Sequence, residues 1–590
     1  MVGSIDNSGN PAGNELMTFG NNKGISMSEK LNPIANIRKG SEPPITREAY
    51  LDNFTAYISE NSNFSLGNDL QLKLNIDYLY DKELSESLML SKFYRSAGKE
   101  AIQSNEQINS NEKRHEISGS VDLESNKPNR YFNNHFSGQF GKINSNGIVM
   151  LNNEQNVIQN QAIDSYHLKN YTHYLTKEFT IPFEIKSAHL YRKGKEQYEA
   201  QLGQPTSVVQ DADHSLFKTD NFITVPDIGL GKGWRYTPVI AVAYYNQSVL
   251  LEEQSRDEML ESSVGQSFTF IDNNTSLFFS VPIYYRWRSL GSLRDKSWSI
   301  EPNLSLKQSI GYKWQIALGA DYKKLFPSLM EIYPEAIYLD YRTKRMGETK
   351  LYHRHQISAN TKVDYNNFMN LFSGYFKAVY LYQNAPVLSS YTVTGENDLK
   401  MSLLPIKNDL SVWSLESSIS KGFSWKGLGI TMLLGYSNVQ GLTALKEEIK
   451  DYTNQLSNVT TEIKLSPIRK VIIDYKVTLE KSKFKIAGEN SQDNFRANQE
   501  FSLGVDLFSS FFCNIDLNHT YLEYPGVKKH FTLLGANFRY RQPKWDLSFN
   551  VKNLMNTENY TLIHHHEYGS FITQYKLRPR AFMLTLDIKI

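Results

Sequence analysis

The chain has 590 residues, more than one ordinary soluble domain, and its 64 Lys+Arg against 62 Asp+Glu leave a net charge of +2. Such a balance excludes the basic field that nucleic-acid binding requires. Only 40% of residues are apolar and mean hydropathy is -0.47, yet aromatics reach 13%, with 36 Tyr and 31 Phe. No apolar run approaches the ~18 residues of a transmembrane helix, and a single cysteine, Cys513, excludes an internal disulfide.

The opening stretch MVGSIDNSGNPAGNELMTFGNNKG has neither a basic n-region nor an apolar h-region, so it does not read as a secretory signal. Residues 1–45 are polar and weakly patterned, and residues 46–590 read as one β-rich domain. From about residue 70 apolar and polar residues alternate with a period of two, the signature of strands with one apolar face. DLQLKLNIDYLY puts Leu70, Leu72, Leu74, Ile76, Tyr78 and Tyr80 on one face, with Lys73 and Asp77 opposite. SLFFSVPIYYRW does the same with Leu277, Phe279, Val281, Ile283, Tyr285 and Trp287, leaving Arg286 on the polar face. WQIALGADYKK follows with Trp314, Ile316, Leu318, Ala320 and Tyr322, then LGITMLLGY with Leu428, Ile430, Met432, Leu434 and Tyr436. VIIDYKVTL, FSLGVDL, LLGANFRY and WDLSFNV continue the series, with Lys476 and Arg539 on the polar parity. The last segment, RAFMLTLDIKI, aligns Phe582, Leu584, Leu586, Ile588 and Ile590, so the chain stops within a strand.

Segments of about ten residues fit the wall of a tilted membrane barrel, and the Tyr and Trp residues at their ends fit aromatic girdles at two bilayer interfaces. Tandem soluble sandwiches would show a repeat of ~100 residues with its own core signature, and no such period is present. The expected fold is all-β, a large antiparallel transmembrane β-barrel of about 20–22 strands. A strand in hydrocarbon cannot leave its backbone unpaired, so the final strand closes the wall. Lys73, Arg286, Lys476 and Arg539 then face the lumen, because a charge on the lipid side at mid-bilayer costs about 2–4 kcal/mol.

Candidate chemistry is sparse. His564, His565 and His566 precede Glu567, but three consecutive strand residues cannot face one way, and a polar loop is the expected reading. His353 and His355 are spaced as a same-face pair, a weak metal candidate. DIGLGKGW (227–234) lacks the Gly-Lys-Ser/Thr and βαβ context of a phosphate loop and reads as a flexible loop. Cys513 lies on an apolar strand parity and reads as structural. The runs NEQINSNEKRHE (105–116) and KEEIKDYTNQ (446–455) read as solvated loops, and 201–235 and 383–411 as the long loops able to fold inward. No nucleophile, base and oxyanion set appears, so neither catalysis nor a cofactor or resident metal is expected.

The C-terminal stretch DLSFNVKNLMNTENY, with Asn550, Val551, Asn553, Leu554, Asn556 and Tyr560, then Pro579 and Arg580 before the last strand, resembles the closing strands of TonB-dependent outer-membrane receptors. DYKKLFPSLMEIYP, through Phe326, Pro327, Ser328, Glu331 and Tyr333, resembles a mid-barrel segment of that family, and EPPITREAYLDN with the Asn-, Lys- and Tyr-rich composition resembles Bacteroidetes-type members. The resemblance covers the barrel, and residues 1–45 then read as the remnant of first strands or of a plug–barrel connection. It implies an outer-membrane location and, with a plug, active import of a scarce nutrient such as an iron chelate, a glycan or a peptide. The alternatives are an ungated or structural barrel and a non-functional receptor fragment. Implied partners are outer-membrane lipid and the barrel-assembly machinery, with the TonB energy complex only where a plug and coupling box stand upstream. No coupling box is legible before residue 45, and Ile590 stands where an aromatic residue is usual in that family.

Overall fold

A computed structural model describes residues 2–6, 33–40, 42–67, 69–93, 102–202, 207–225, 228–348, 350–394, 398–445, 448–489, 491–508, 510–524, 527–566 and 569–588. Ile590 and Glu567 lie outside the described residues. Among the described residues the strands join in one 33-stranded sheet. This exceeds the number of wall crossings because some crossings are broken and some strands belong to loops. Thr275–Ser280 and Ile283–Leu290 form one crossing interrupted at Pro282, and Leu293–Ile300 and Asn303–Ile310 another interrupted at Pro302, where proline has no N–H for the ladder.

The wall begins with β1 (Val2–Asp6), β2 (Asp52–Ser65), β3 (Leu70–Phe93), β4 (Ile102–Lys127), β5 (Arg130–Leu151), β6 (Gln155–Thr176), β7 (Phe183–Gln201) and β8 (Ser207–Thr224), each paired antiparallel to the next. Trp234–Leu250 continues from β8, and the antiparallel series runs on through Trp545–Lys552 to Ala581–Ile588. One rim carries short turns such as Lys127 to Arg130 and Ile468 to Val471. The opposite rim carries the long connections Leu325 to Arg354, Ala385 to Asn408 and Lys552 to Ala581.

The alternation fixes the wall's two faces. Ile76 is 65% exposed on the outside while its neighbour Asp77 is buried inside, and Tyr191 outside contrasts with Leu190 inside. Leu318, Leu434, Phe549 and Leu584 belong to the exposed outer belt. The four cations expected in the lumen each meet an acid: Lys73 with Glu124 at 3.5 Å, Lys476 with Glu500 at 3.3 Å, Arg539 with Asp546 at 2.7 Å, and Arg286 with Glu261 and Glu301.

β3, β4, β5 and β6 have 24, 26, 22 and 22 residues, about twice what a tilted strand needs to cross hydrocarbon. The wall therefore stands well beyond the bilayer on the long-loop rim. This corrects the reading of 105–116 as a loop: the run lies within β4, with Asn105, Gln107 and Lys113 outward while Glu106 and Ile108 are buried inward. The described part of 446–455 likewise opens the strand Glu448–Ile468, and Tyr452 is buried there. A segment wet on one face has loop-like composition while remaining wall.

β2 covers β3 only from Gln71 to Leu84. Above it, Ser87–Phe93 of β3 pairs with Gly569–Lys576, the returning strand of a hairpin begun by Asn559–His566. That edge would otherwise expose unpaired backbone groups.

The outer belt makes a direct prediction. Leu318→Arg or Leu434→Arg should block assembly, since each costs about 2–4 kcal/mol at mid-bilayer, whereas Gln315→Lys on the inward parity should assemble normally. Membrane fractionation with heat-modifiable gel mobility reads the difference; equal tolerance would contradict the membrane placement.

Candidate functional site: a strapped lumen

The buried core lies inside the wall, at its long-loop end. Residues 33–40 and 42–51, here called the strap, enter this space, and Ile34, Ala35 and Ile37 are buried in it. Ala35 and Ile37 share a cluster with Met89, Phe93, Ile108, Val149, Val157 and Tyr198 of the inner wall and with Tyr341 and Leu399 of two loops. Ile34 packs with Ala212, Val249, Leu329, Ile332, Tyr333 and Ile337. An irregular segment in such a place must find partners for its amides. The Ile34 N–H donates to Glu196 Oε2 at 2.8 Å, the Asn36 N–H to the Leu339 carbonyl at 2.9 Å, and the Arg38 N–H to Gln159 Oε1 at 2.9 Å; the Ala35 carbonyl accepts from Gln161. Glu196 is itself held by His214, at 2.7 Å.

Two loops meet the strap. In the first, Ser328 and Glu331 form a capping box on the single-turn helix α1 (Leu329–Ile332), whose Leu329 and Ile332 are fully buried. Glu331 also binds Arg354 at 2.6 Å, and the Pro327 carbonyl accepts from Arg288 at 2.8 Å. These contacts give the residues of the FPSLMEIY motif a local role. In the second, the hairpin Leu388–Thr394 and Asp398–Leu404 runs its returning strand parallel to Thr343–Met346. Of the two stretches expected to fold inward, 383–411 contributes this hairpin. Most of 201–235 is β8 wall and a turn-rim arm, and the principal inward loop is 327–353.

Charge fastens the three pieces. Glu106 of β4, with no exposed surface, accepts from Arg342 Nη1 at 2.8 Å, from Arg38 Nε at 3.3 Å and from the Tyr341 hydroxyl. Arg342 also reaches Ser104 at 3.2 Å and Ser91 at 3.3 Å, and its guanidinium lies 4.9 Å from the Phe93 ring centroid. Arg38 reaches Asp340 at 3.1 Å. Burial opposes ionisation of both Arg38 and Asp340, yet the opposite charges outweigh it: Arg38 is held above the usual arginine range, and Asp340 is held below the usual carboxylate range by Arg38 and Arg342. Buried ions bound this way are costly to strand singly.

At the end of the strap, Tyr50 and Leu51 pack with Tyr560, Leu562 and Tyr575 of the C-terminal hairpin and with Leu522 and Phe531 of the wall. Below lies a cavity of about 1020 Å³, bounded by Pro44, Ile45 and Thr46 and by inward Glu462, Asp474, Lys476, Glu500, Asp516 and Asn518. The C-terminal motif shapes its roof. Asn553 and Asn556 take positive φ of 49° and 55°, where asparagine is tolerated. The Asn553 amide donates to the carbonyls of Thr557 at 2.9 Å and Arg578 at 2.7 Å, and Asn556 Oδ1 accepts from the Arg580 N–H at 3.1 Å. The Arg578 N–H in turn donates to Ala49 of the strap at 2.8 Å.

The histidines separate. His565 stacks on Phe484 at 6.3 Å and His566 meets Phe571 edge-on, on the alternating faces of one hairpin strand rather than in the expected loop. His353 contacts Asp295 at 3.2 Å while His355 meets the Tyr322 hydroxyl at 2.7 Å, so the pair shares no point. Among the described residues no group of three or more His, Cys, Asp or Glu side chains is arranged to hold a metal. Cys513 is half-buried and faces Val505 and Phe538 across the ladder. Of 227–234, Asp227 lies outside the described residues, and Ile228–Gly231 pairs with Trp234–Tyr236 in a small arm whose turn uses positive φ at Gly231, Lys232 and Gly233. The Glu106–Arg342–Arg38 cluster was not legible in sequence. Its one local trace is Glu106 on the same parity as the inward Ser104 and Ile108.

Against known proteins, no family model matches the chain and no curated protein matches its sequence. Solved structures do match. A variant of the ferric enterobactin receptor PfeA from Pseudomonas aeruginosa, in complex with enterobactin, aligns at 12% identity over 91% of this chain and 80% of that one, with a TM-score of 0.52. A second PfeA complex aligns at 12% over the same shares with a TM-score of 0.51. The outer membrane transporter YddB from Escherichia coli aligns at 9% over 91% and 76%, with a TM-score of 0.47. The fold is that of a large antiparallel β-barrel, shared with these outer-membrane proteins. The exposed apolar belt and the wall strand at 581–588 accord with an outer-membrane location.

Two predictions arise here. Glu106→Gln removes the carboxylate shared by Arg38 and Arg342 and should loosen the strap by about 3–5 kcal/mol. Hydrogen exchange at 33–40 should accelerate while β4–β7 stay protected. The second concerns His565, whose ring is pushed down to about 4 by burial, with His564 and His566 adding to the effect; burial depresses His564 as well. A depressed histidine contributes stability that is complete above its unfolded value of 6.5 and is lost as pH falls toward 4. The described parts of the hairpin, 559–566 and 569–576, should therefore exchange faster on acidification through that window, and His565→Phe should reduce the dependence while His564→Phe with His565→Phe reduces it further.

Proposed function

We propose that the chain is a gated importer of the TonB-dependent type, which admits a scarce nutrient through the barrel when the strap and inward loops rearrange. The observation that carries this reading is the filled long-loop end: the described residues of 33–51, 327–353 and 388–404 occupy the interior of a wall wide enough for a pore, with a cavity bearing charged side chains beneath them. An ungated pore has no use for such a filling. The proposed organisation takes 46–590 as the barrel, with Val2–Asp6 of the N-terminal segment 1–45 paired to its wall and the described part of 33–45 acting as part of the moving gate. The ligand class is an iron chelate, a glycan or a peptide. Working partners are the outer-membrane lipid, the barrel-assembly machinery for insertion and the TonB complex for energy. The receptor fold supports transport over catalysis, since the proteins it resembles carry receptor and transporter names.

Planar-bilayer recording tests the gate. The intact chain should show near-zero conductance, and Arg38→Ala combined with Arg342→Ala should produce discrete channel openings. Large steady conductance in the intact chain would favour the ungated barrel. In cells, uptake of one of the three ligand classes should stop on addition of an uncoupler.

A further inference from the structure

The strap is seated as a bound peptide would be. Side chains of the wall hold its main chain: Glu196 of β7 takes the Ile34 N–H, and Gln161 and Gln159 of β6 take the Ala35 carbonyl and the Arg38 N–H. These three residues are 2%, 6% and 0% exposed, so the wall offers buried polar groups to a backbone whatever its side chains. Ile34 enters one apolar cluster, while Ala35 and Ile37 enter another. Main-chain bonds for affinity and pockets for selected side chains are the general means of recognising a peptide. One donor is left over. Gln159 Nε2 is buried and meets no acceptor among the described residues, and a Cβ on Gly147 would lie 3.5 Å from it and 3.6 Å from Ile37 Cδ1, which places it beside the strap.

Charge selects the occupant at the other end of the seat. Arg38 contacts Glu106 and Asp340, and Lys39 contacts Glu112. From the wall and loops, Arg342 binds Glu106 and faces Asp340, while Arg114 faces Glu112 but is paired with Glu116. Four acids thus share these two cations, and the strap's Arg38 and Lys39 complete the balance. An anionic chelate would be repelled here, and a neutral glycan would leave buried carboxylates short of a partner. At the Pro33 end the neighbours are instead Arg192, Arg345 and the Glu196-bound His214, around a pocket of about 320 Å³. We propose that this seat is a peptide-binding site, that the strap is its internal occupant, and that the imported ligand is a peptide carrying apolar residues just ahead of a basic one. The inference rests on the gated reading of the lumen and names the ligand class within it. A ligand of this kind replaces each contact the strap gives up, so the carboxylates keep a cationic partner through the exchange.

The probe is the strap's own sequence PIANIRKG (33–40), acetylated to remove its terminal ammonium, labelled at the C-terminal amide and titrated into the full chain in mild detergent. In the native chain the tethered strap competes at an effective concentration of about a millimolar, and binding should be weak. Arg38→Ala with Lys39→Ala loosens the strap but keeps the wall acids, and this chain should bind the probe at least about tenfold more tightly. A probe carrying Arg38→Gln should lose at least about tenfold, and maltoheptaose and ferric citrate should fail to compete. Gln159→Leu in the loosened chain, with heat-modifiable mobility retained, should weaken both probes alike. No binding by the loosened chain, equal binding of the two probes, displacement by either competitor, or unchanged binding in Gln159→Leu would overturn the proposal. Gating is read separately by conductance: channel openings in a loosened chain that binds no peptide would leave the gate standing and refute the peptide.

Discussion

Backbone pairing in hydrocarbon requires a membrane wall of this kind to close, and a closed wall of this girth has an interior that its side chains alone cannot fill. Most other features answer to that constraint. The strands alternate because one face meets lipid and the other meets a wet or packed lumen. The loops are long on one rim because part of their length turns inward. The hairpin at 559–576 covers the upper edge of β3 because β2 reaches only Leu84.

The filling is held by a few apolar contacts and a set of directional bonds. An apolar plug packed at interior density would be stable but hard to displace. Here Ile34, Ala35 and Ile37 supply a small apolar contact, while Glu106, Arg342, Arg38 and Asp340 supply directional bonds that fix one register. Buried ion pairs add little net stability compared with hydrophobic replacements, but misplacing one partner is costly. A strap fastened this way is well defined, and loss of the shared carboxylate strands both guanidinium groups. The Arg578 to Ala49 bond ties the same strap to the last connection of the wall.

Much of the wall was legible because a period of two survives where one face meets lipid. Leu318, Leu434 and Ile76 declare their side, and Lys73, Arg286, Lys476 and Arg539 declare the other. The reading failed where the wall rises above the bilayer. There the outer face of β4 is solvated, so residues 105–116 have a loop's composition although every second one faces the interior. The lumen cluster was illegible for a different reason: Glu106 and Arg342 are 236 positions apart, and nothing periodic links them. Motif resemblance marked Ser328, Glu331, Asn553 and Asn556, and the structure supplies their reasons in a capping box and two left-handed turns.

The central claim is that the strap sits inside the wall of the assembled barrel. Thiol accessibility in outer-membrane vesicles measures this directly, in a Cys513→Ser background that removes the one native thiol. Glu252→Cys, at an exposed turn on the long-loop rim, serves as the freely reactive control. Cysteine at Ile37, which is 2% exposed, should resist a bulky maleimide in the folded protein and react once it is denatured. Labelling of Ile37→Cys at the rate of Glu252→Cys in assembled vesicles would place the strap in solvent and contradict the account.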